Sequence, residues 1–235
     1  MKKVNFYNSR KQKLVGIVNV KGKKGVILSH GFTGNKESQL VFANFLSKSY
    51  TTLTFDYSGH GESEGNLSET NVTKWVDDLN SAIGFMKKYC NEIALVGFSL
   101  GGMASLICSS KSKAAIAIAP PTNFKKLATH FIRTGLVKKL KDFIDFGGLN
   151  IKHTFITDSA RWDMKKVMKK IKCPILIIHG NKDEIVPLSQ SEEIIKYMNE
   201  PKKLFVISGF GHGSANKDQI RVIYKEIGEW LERYL

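Results

Sequence analysis

The sequence predicts an α/β fold with a mostly parallel, twisted sheet of about eight strands and helices on both faces. Short apolar segments rich in β-formers alternate along the chain with amphipathic helical segments, which is typical of parallel sheets. One section of about 50 residues, 121–172, breaks this alternation because it contains no strong buried strand. The 235 residues therefore divide into a core, 1–120 and 173–235, and an inserted lid that follows the sixth strand.

The first half of the core is predicted to open with an antiparallel pair of strands and to continue with strand–helix units. β-Formers cluster at 3–7 and 13–20 on either side of a polar link, as in two antiparallel strands. The apolar run at 25–30 is short and unbroken, as expected for a strand buried on both faces. The predicted elements that follow are helix 37–48, strand 50–57, helix 71–88, strand 92–98, a helix directly after residue 98, and strand 114–120.

The insertion is predicted to hold basic amphipathic helices, and the core resumes after it. Its densest basic segments, 136–143 and 163–172, alternate charged with apolar residues, as amphipathic helices do. A long insertion in a compact α/β domain is usually functional, so we expect a lid. The predicted elements after the insertion are strand 174–180, helix 188–198, strand 203–208 and helix 217–234.

Composition argues against several classes of protein. Hydrophobic residues make up 42% of the chain, but no apolar run reaches the roughly 18 residues that span a bilayer. The N-terminal residues are basic and lack the apolar region of a secretory signal. Three widely separated cysteines, Cys90, Cys108 and Cys173, predict reduced thiols, and we expect a cytoplasmic protein.

The net charge of +15 raises the question of an acidic partner. Only five of the 36 basic residues are arginines, which are preferred for bidentate phosphate recognition, and the lysines are spread along the chain. We therefore expect a lysine-rich surface and no nucleic-acid partner. The basic insertion leaves a weak contact with an anionic membrane surface open, and a homodimer is left open as well.

The stretch "ALVGFSLGGMAS", residues 94–105, places Ser99 between two glycines where a predicted buried strand becomes a helix. Gly97 and Gly101 make a tight turn feasible, because side chains at those positions would clash. A structural turn serine is the alternative interpretation. A catalytic serine needs partners, since its hydroxyl must lose a proton as it attacks.

Polar residues follow several of the predicted parallel strands and should converge at one edge of the sheet, where ligands of such sheets bind. Ser99, Asp183 and His212 each follow closely after a predicted strand. A histidine can accept the serine proton, and a carboxylate can orient that histidine. We therefore predict these three as the catalytic residues, with Glu184, next to Asp183, as the alternative acid.

Catalysis by a serine also needs backbone N–H donors for the oxyanion that develops on the substrate. We predict that Leu100, at the start of the helix after the serine, and Phe32, in the loop "HGFTG", supply them. His30, His60 and Asp56 lie in neighbouring loops and are interpreted as structural.

Residues that would bind a substrate are predicted mainly in the insertion, where aromatic side chains can line an apolar pocket. The predicted substrate-binding residues are Gly31, Phe131, Phe143, Phe146, Phe155 and Trp162. His179 ends a buried strand and is interpreted as structural. No cluster has zinc spacing and no glycine-rich loop matches a nucleotide-binding motif, so we expect no metal and no organic cofactor.

These motifs resemble those of the α/β-hydrolase superfamily. "GFSLG" fits the G-x-S-x-G motif, and the chain order Ser99, Asp183, His212 is that of the superfamily. "HGFTGNKES", "DYSGHGESEG", "HGNKDEIVP" and "GFGHG" are similar to further family signatures. Over roughly residues 25–234 the chain is most similar to small carboxylesterases of the cinnamoyl/feruloyl esterase-like group. Members of that group often carry His before and Gln after the nucleophile, where this chain has Phe98 and Leu100.

The resemblance implies a serine hydrolase that cleaves carboxylic esters, with short to medium acyl or aryl groups, through an acyl-enzyme. A small-molecule ester is then the expected partner. An acyl thioesterase, or a lipase acting on monoacylglycerols or lysophospholipids, uses the same machinery and is the alternative. A catalytically silent hydrolase-fold module that binds a partner through its basic surface is the alternative from another class.

Overall fold

A central sheet of eight strands runs through the molecule, whose computed structural model describes residues 1–139, 143–146 and 148–235. A second sheet, of three strands, lies in the insertion. The strands of the described residues are β1 (Lys2–Tyr7), β2 (Lys13–Asn19), β3 (Lys24–Ser29), β4 (Thr51–Phe55), β5 (Glu92–Phe98), β6 (Ala114–Ile118), β7 (Lys138–Lys139), β8 (Phe143–Phe146), β9 (Leu149–Lys152), β10 (Ile175–Gly180) and β11 (Lys202–Ile207).

Helices pack on both faces of the central sheet. The α-helices of the described residues are α1 (Leu40–Leu46), α2 (Val72–Met86), α3 (Leu100–Cys108), α4 (Phe124–Thr134), α5 (Thr154–Ser159), α6 (Met164–Lys170), α7 (Ser189–Ile194) and α8 (Lys217–Tyr234). Short 3-10 turns at Lys36–Gln39 and Ile195–Tyr197 complete the helical segments predicted at 37–48 and 188–198. No helix in the described part of the chain has both the length and the hydrophobicity needed to cross a membrane.

The strand order of the central sheet is β1-β2-β4-β3-β5-β6-β10-β11. The pairs β1–β2 and β2–β4 are antiparallel, and every later pair in this order is parallel. The predicted fold class is therefore confirmed, together with the opening antiparallel pair. Because parallel strands end at the same edge of a sheet, the loops that follow β3, β5, β10 and β11 gather there.

Two apolar layers hold the central sheet between its helices. In β3 the side chain of Ile27 belongs to one layer, whereas those of Val26 and Leu28 belong to the other. This follows from the strand period of two, which sends successive side chains to opposite faces. Wholly buried Trp75 of α2 lies in the first layer and Ile227 of α8 in the second. Both faces are thus covered, which explains the unbroken apolar runs in the sequence.

The insertion combines helices with a small antiparallel sheet. Residues 121–172 contain α4, α5 and α6, and the strands β7, β8 and β9 pair in that order. The helix predicted at 136–143 was wrong at Lys138–Lys139, because these two residues form a strand that pairs with β8. An alternation of lysine with apolar residues over so short a segment fits a strand as well as a helix. Residues 140–142 of the helix predicted at 136–143 lie outside the described residues, and the helix predicted at 163–172 is present as α6.

Candidate active site

Ser99 sits on a sharp turn between β5 and α3. Its backbone angles, φ 52° and ψ −120°, are costly for any residue with a side chain. The Ser99 N–H donates to the Ile118 carbonyl at 2.8 Å, which ties the turn to the neighbouring strand. A β-carbon on Gly97 would lie 2.2 Å from the Gly101 carbonyl oxygen, and one on Gly101 would lie 2.3 Å from that of His30. Both glycines are therefore required by the close approach of backbone to backbone.

Three side chains from different loops form a continuous chain of hydrogen bonds. Ser99 follows β5, Asp183 follows β10 and His212 follows β11. His212 Nδ1 lies 2.8 Å from Asp183 Oδ2, and His212 Nε2 lies 3.0 Å from Ser99 Oγ. Because a carboxylate can only accept, His212 donates from Nδ1, and Nε2 presents a lone pair to the serine hydroxyl. The arrangement can pass a proton from serine to imidazole.

The Asp183 carboxylate is held in its ionised form by several donors. Its Oδ1 accepts the N–H groups of Ile185 at 3.0 Å and Val186 at 2.8 Å. Burial by itself would raise the pKa of Asp183, but hydrogen bonds from His179, His212 and the Val186 N–H outweigh it and hold that pKa well below its usual value. Asp183 is therefore ionised at neutral pH.

His179 is buried behind Asp183, as its position at the end of a core strand predicted. Its Nε2 lies 2.8 Å from the Val186 carbonyl and 3.4 Å from Asp183 Oδ2, and its Nδ1 lies 2.7 Å from Ser191 Oγ. Since a carbonyl only accepts, His179 Nε2 carries the ring proton, and His179 Nδ1 accepts from the Ser191 hydroxyl. Both ring nitrogens are thus satisfied, and the sequence did not reveal the contact with the carboxylate.

Two backbone N–H groups near Ser99 have no hydrogen-bond acceptor within the described residues. One belongs to Leu100, the first residue of α3, and the other to Phe32, in the loop after β3. That loop turns back on itself, with the Gly34 N–H donating to the Gly31 carbonyl at 3.0 Å. A β-carbon on Gly31 would lie 3.1 Å from that of Ser99, so the loop packs directly on the turn. Both groups are available to an oxyanion.

An apolar cavity of about 530 Å³ opens at Ser99 and His212, between the core and the insertion. Residues of α4, α5, β8 and β9 form much of its wall. Phe131 and Phe146, both predicted to bind substrate, line it with ring centroids 5.5 Å apart, and Phe155 also lines it. The volume lies within the range of small-molecule sites.

The other three predicted substrate-binding residues, Gly31, Phe143 and Trp162, do not line this cavity. Gly31 instead brings its loop close to Ser99. Phe143 is excluded by the strand period, because in β8 it is Ile144 and Phe146 that line the cavity. Trp162, between α5 and α6, packs against the core and lines a separate hollow of about 300 Å³.

Several lining residues escaped the sequence reasoning. Ile144 and Ile151 come from β8 and β9, and recognising the two-residue period of those strands would have pointed to them. His153 also lines the cavity, and its Nε2 lies 2.9 Å from the Phe143 carbonyl. Ile132 lies at the end of α4 and is 61% exposed, although it lines the cavity. Which side chains line the cavity depends on how elements that are distant in the sequence pack together.

The described residues around this site include no metal-binding cluster. Among the described residues, no three His, Cys, Asp or Glu side chains are arranged to hold a metal ion. Cys90, Cys108 and Cys173 are free thiols that do not line the cavity. Burial raises the pKa of each, that of Cys108 to about 12, so the thiols stay protonated at neutral pH.

The chain matches two known protein families, which agree with its fold. Residues 25–146 match the family described as alpha/beta hydrolase fold, and residues 143–229 match the dienelactone hydrolase family. The chain belongs to the α/β-hydrolase family, as its motifs predicted, and is a hydrolase.

The sequence identity between this chain and individual relatives is low. The chain is 29% identical to the mitochondrial palmitoyl-protein thioesterase ABHD10 of Rattus norvegicus over 199 residues, which cover 77% of this chain and 66% of the rat protein. It is 24% identical to the thermostable monoacylglycerol lipase of Bacillus sp. (strain H-257) over 204 residues, which cover 79% and 80% of the two chains. The chain thus spans just under two thirds of the rat protein's length.

Solved structures share the fold. Est1E from Butyrivibrio proteoclasticus, solved with ferulic acid bound, matches with a TM-score of 0.86 and 23% identity over 98% of both chains. The mouse alpha/beta hydrolase domain-containing protein 10 matches with a TM-score of 0.81 and 23% identity, over 99% of both chains. At this level of identity the likeness establishes the fold alone.

Proposed function

We propose that this hydrolase is a serine esterase that cleaves carboxylic esters through an acyl-enzyme intermediate. The observation that carries the proposal is the unbroken chain of hydrogen bonds from Asp183 through His212 to Ser99. Such a chain activates a serine, because the imidazole takes the hydroxyl proton as the oxygen attacks a carbonyl carbon. The fold by itself would not support this, since α/β folds host many activities.

The proposed reaction has two halves. Ser99 Oγ attacks the ester carbonyl, His212 Nε2 takes its proton, and the carbonyl oxygen becomes an oxyanion between the N–H groups of Phe32 and Leu100. Collapse of this intermediate breaks the bond to the alcohol, which leaves with the proton from His212. Water, deprotonated by His212, then attacks the acyl-enzyme. The second intermediate collapses to the free acid, and Ser99 Oγ leaves with the proton that His212 returns, while Asp183 stabilises the imidazolium in each half.

The cavity supports an uncharged acyl or aryl group as the acid part of the substrate. Among the described residues, no Asp, Glu, Lys or Arg side chain lines it, and the His153 ring is engaged with a backbone carbonyl. An apolar group that enters such a cavity gains the free energy of leaving water, about 25 cal/mol per Å² buried. Short to medium acyl or aryl esters match this lining.

A second candidate, with the same residues, is an acyl thioesterase or a lipase acting on monoacylglycerols or lysophospholipids. The length of apolar wall contributed by α4, β8 and β9 favours it, because a longer acyl chain would fill more of the cavity. The insertion also carries thirteen basic and four acidic residues, a net charge of +9 that would attract an anionic alcohol or thiol part. The rat relative is a palmitoyl-protein thioesterase and the Bacillus relative is a monoacylglycerol lipase, which points the same way.

A catalytically silent binding module is the remaining alternative, and the geometry argues against it. A silent member of the family would have lost one of the three residues or their hydrogen bonds. Nucleic-acid binding that weakens with salt, together with no reaction towards a fluorophosphonate probe, would favour the silent module over the esterase.

We expect Ser99→Ala to lower kcat by about 10⁴-fold or more on every ester that the wild-type protein hydrolyses, because it removes the nucleophile. The measurement is a panel of p-nitrophenyl esters from acetyl to palmitoyl and benzoyl, with circular dichroism to verify the fold. Ser68→Ala, outside the cavity, is the matched control and should retain full activity. Ester turnover that survives in Ser99→Ala would contradict the proposal.

Acyl-CoA and monoacylglycerol substrates separate the two candidates. Values of kcat/KM for these substrates that exceed those for p-nitrophenyl esters of the same acyl length would favour the thioesterase or lipase. The reverse order favours the carboxylesterase.

A further inference from the structure

Lys36 is a buried lysine surrounded by carboxylates, one residue beyond the loop that carries Phe32. Its side chain is 2% exposed, and its ammonium lies 2.8 Å from Asp56 Oδ2, 2.6 Å from Glu62 Oε2 and 2.9 Å from Glu37 Oε1. Burial would lower the pKa of Lys36, but these hydrogen bonds outweigh it and raise that pKa above its usual value. Lysine is almost never buried unless paired, so this cluster requires an explanation.

Asp56 makes the pairing with Lys36 rigid. It is wholly buried at the end of β4, and its Oδ1 accepts the Lys36 backbone N–H at 2.6 Å while Oδ2 binds the Lys36 ammonium. The same Oδ2 accepts the Glu62 N–H at 2.9 Å. The Asp56 carboxylate thus binds both the backbone N–H and the side-chain ammonium of Lys36. The backbone hydrogen bonds agree with the interpretation of Asp56 as structural, but the sequence did not reveal its partner.

Both ends of the loop that carries Phe32 are tied to the segment after β4. At one end the Tyr57 N–H donates to His30 Nε2 at 3.2 Å, and at the other end Asp56 holds Lys36. Between these anchors the chain makes a tight turn, with Thr33 at φ 66°, a strained angle for a β-branched residue. The surrounding contacts must therefore hold the turn in place.

We propose that Lys36 and Asp56 are positioning residues that hold the Phe32 N–H where the oxyanion of the substrate develops. This role rests on the proposed function, because it requires an oxyanion to be bound. A buried ion pair often adds less stability than apolar side chains of the same volume would, so folding alone does not call for one here. Positioning does, since a displacement of about 1 Å in a catalytic group can cost about 100-fold in rate.

The test compares Lys36→Met with the double variant Lys36→Met, Asp56→Asn. The single variant leaves a buried carboxylate without its cation and should lower the melting temperature, whereas the double variant removes that charge and should regain much of the loss. We expect kcat to stay about 10- to 100-fold below wild type in both, with KM changed less than about threefold. Titration with a fluorophosphonate probe gives the fraction of molecules that have a reactive Ser99. The value of kcat is then calculated per reactive site.

Lys3→Met is the matched control. The Lys3 ammonium also binds Glu62, at 2.5 Å, but Lys3 lies on the surface with 59% of its side chain exposed. It should leave kcat unchanged. Recovery of kcat together with stability in the double variant would show a merely structural role and overturn the proposal, as would unchanged kcat in all variants. If neither Lys36 variant folds, Glu62→Gln decides: a fall in kcat of a few fold at constant KM supports the proposal, and no fall overturns it.

The proposed function fails separately from this inference. A wild-type protein that neither hydrolyses esters nor reacts with the probe would refute both. An active wild-type protein that depends on Ser99, with Lys36 variants of normal kcat, would refute only the positioning role.

Discussion

The contacts of two adjacent acidic residues favour Asp183 over Glu184 as the proposed catalytic acid. Asp183 lies against the His212 ring and accepts two backbone N–H groups. Glu184 instead contributes its backbone carbonyl, which lies 2.7 Å from His130 Nε2 on α4. The side chain of Asp183 is therefore the one that lies within hydrogen-bond distance of the imidazole, which supports the proposal that Asp183 orients His212.

Asp183→Asn should lower kcat by about 10³- to 10⁴-fold with little change in fold. The amide has no negative charge to stabilise the imidazolium, and its N–H₂ group can favour the wrong tautomer of His212. Glu184→Gln is the matched control and should keep kcat within about twofold. Steady-state kinetics on the best ester of the panel measures both, and near-full activity of Asp183→Asn would show that another group orients His212.

Among the elements, α3 shows how close packing dictates sequence. Gly101 lies in its first turn, where a β-carbon would meet the carbonyl oxygens of His30 at 2.3 Å and Ser29 at 2.7 Å. Gly84 also lies in a helix, α2, but nothing stands within 4 Å of the place that its β-carbon would take. The two helical glycines thus differ in environment and not in local conformation.

Gly101→Ala should lower the free energy of unfolding by about 3 kcal/mol or prevent folding, because the atoms that the new methyl group would meet are backbone atoms of Ser29 and His30, which cannot move aside as a flexible side chain could. Gly84→Ala should be neutral or stabilise by up to about 1 kcal/mol, since alanine is the better helix former. Urea unfolding of the two variants measures the difference. Equal destabilisation would show that the packing around α3 is looser than described.

Over the whole molecule, a buried histidine couples folding stability to pH. Burial lowers the pKa of His30 to about 3, and the neighbouring charges of His60 and Lys36 act in the same direction. The ordinary pKa of about 6.5 applies in the unfolded chain. Between these two values the unfolded chain binds a proton that the folded chain excludes, so acid favours unfolding.

The free energy of unfolding should therefore fall as the pH drops from about 6.5 towards 3, by up to about 1.4 kcal/mol per pH unit for His30 alone. Below about pH 4.5, Glu62 and Glu193 add to the fall, because lysine partners lower the pKa of each to about 2 in the folded chain. His30→Asn, which keeps a donor near the Gly31 carbonyl, should flatten the slope between pH 6.5 and 4.5. Urea unfolding at several pH values tests this, and parallel slopes for the two proteins would contradict it.

The range of the interactions decided which features could be predicted from the sequence. The core strands and helices were predictable because their periodicity is written in neighbouring residues. The small sheet of the insertion was missed, since β7, at Lys138–Lys139, has only two residues and carries too little pattern. The prediction of Phe143 as a lining residue is wrong for the same reason, because the two-residue period of β8 turns Ile144 and Phe146 towards the cavity.

The sequence by itself determined the order of the elements, the glycines that the turn at Ser99 requires, and the three residue types that follow the strands. Only the tertiary structure decided that Ser99 and His212, 113 positions apart, come within 3.0 Å, which side chains line the cavity, and that Lys36 is buried against Asp56. The physical reason is range. Backbone preferences and periodicity act between residues a few positions apart, whereas these contacts exist because distant strands lie side by side in one sheet.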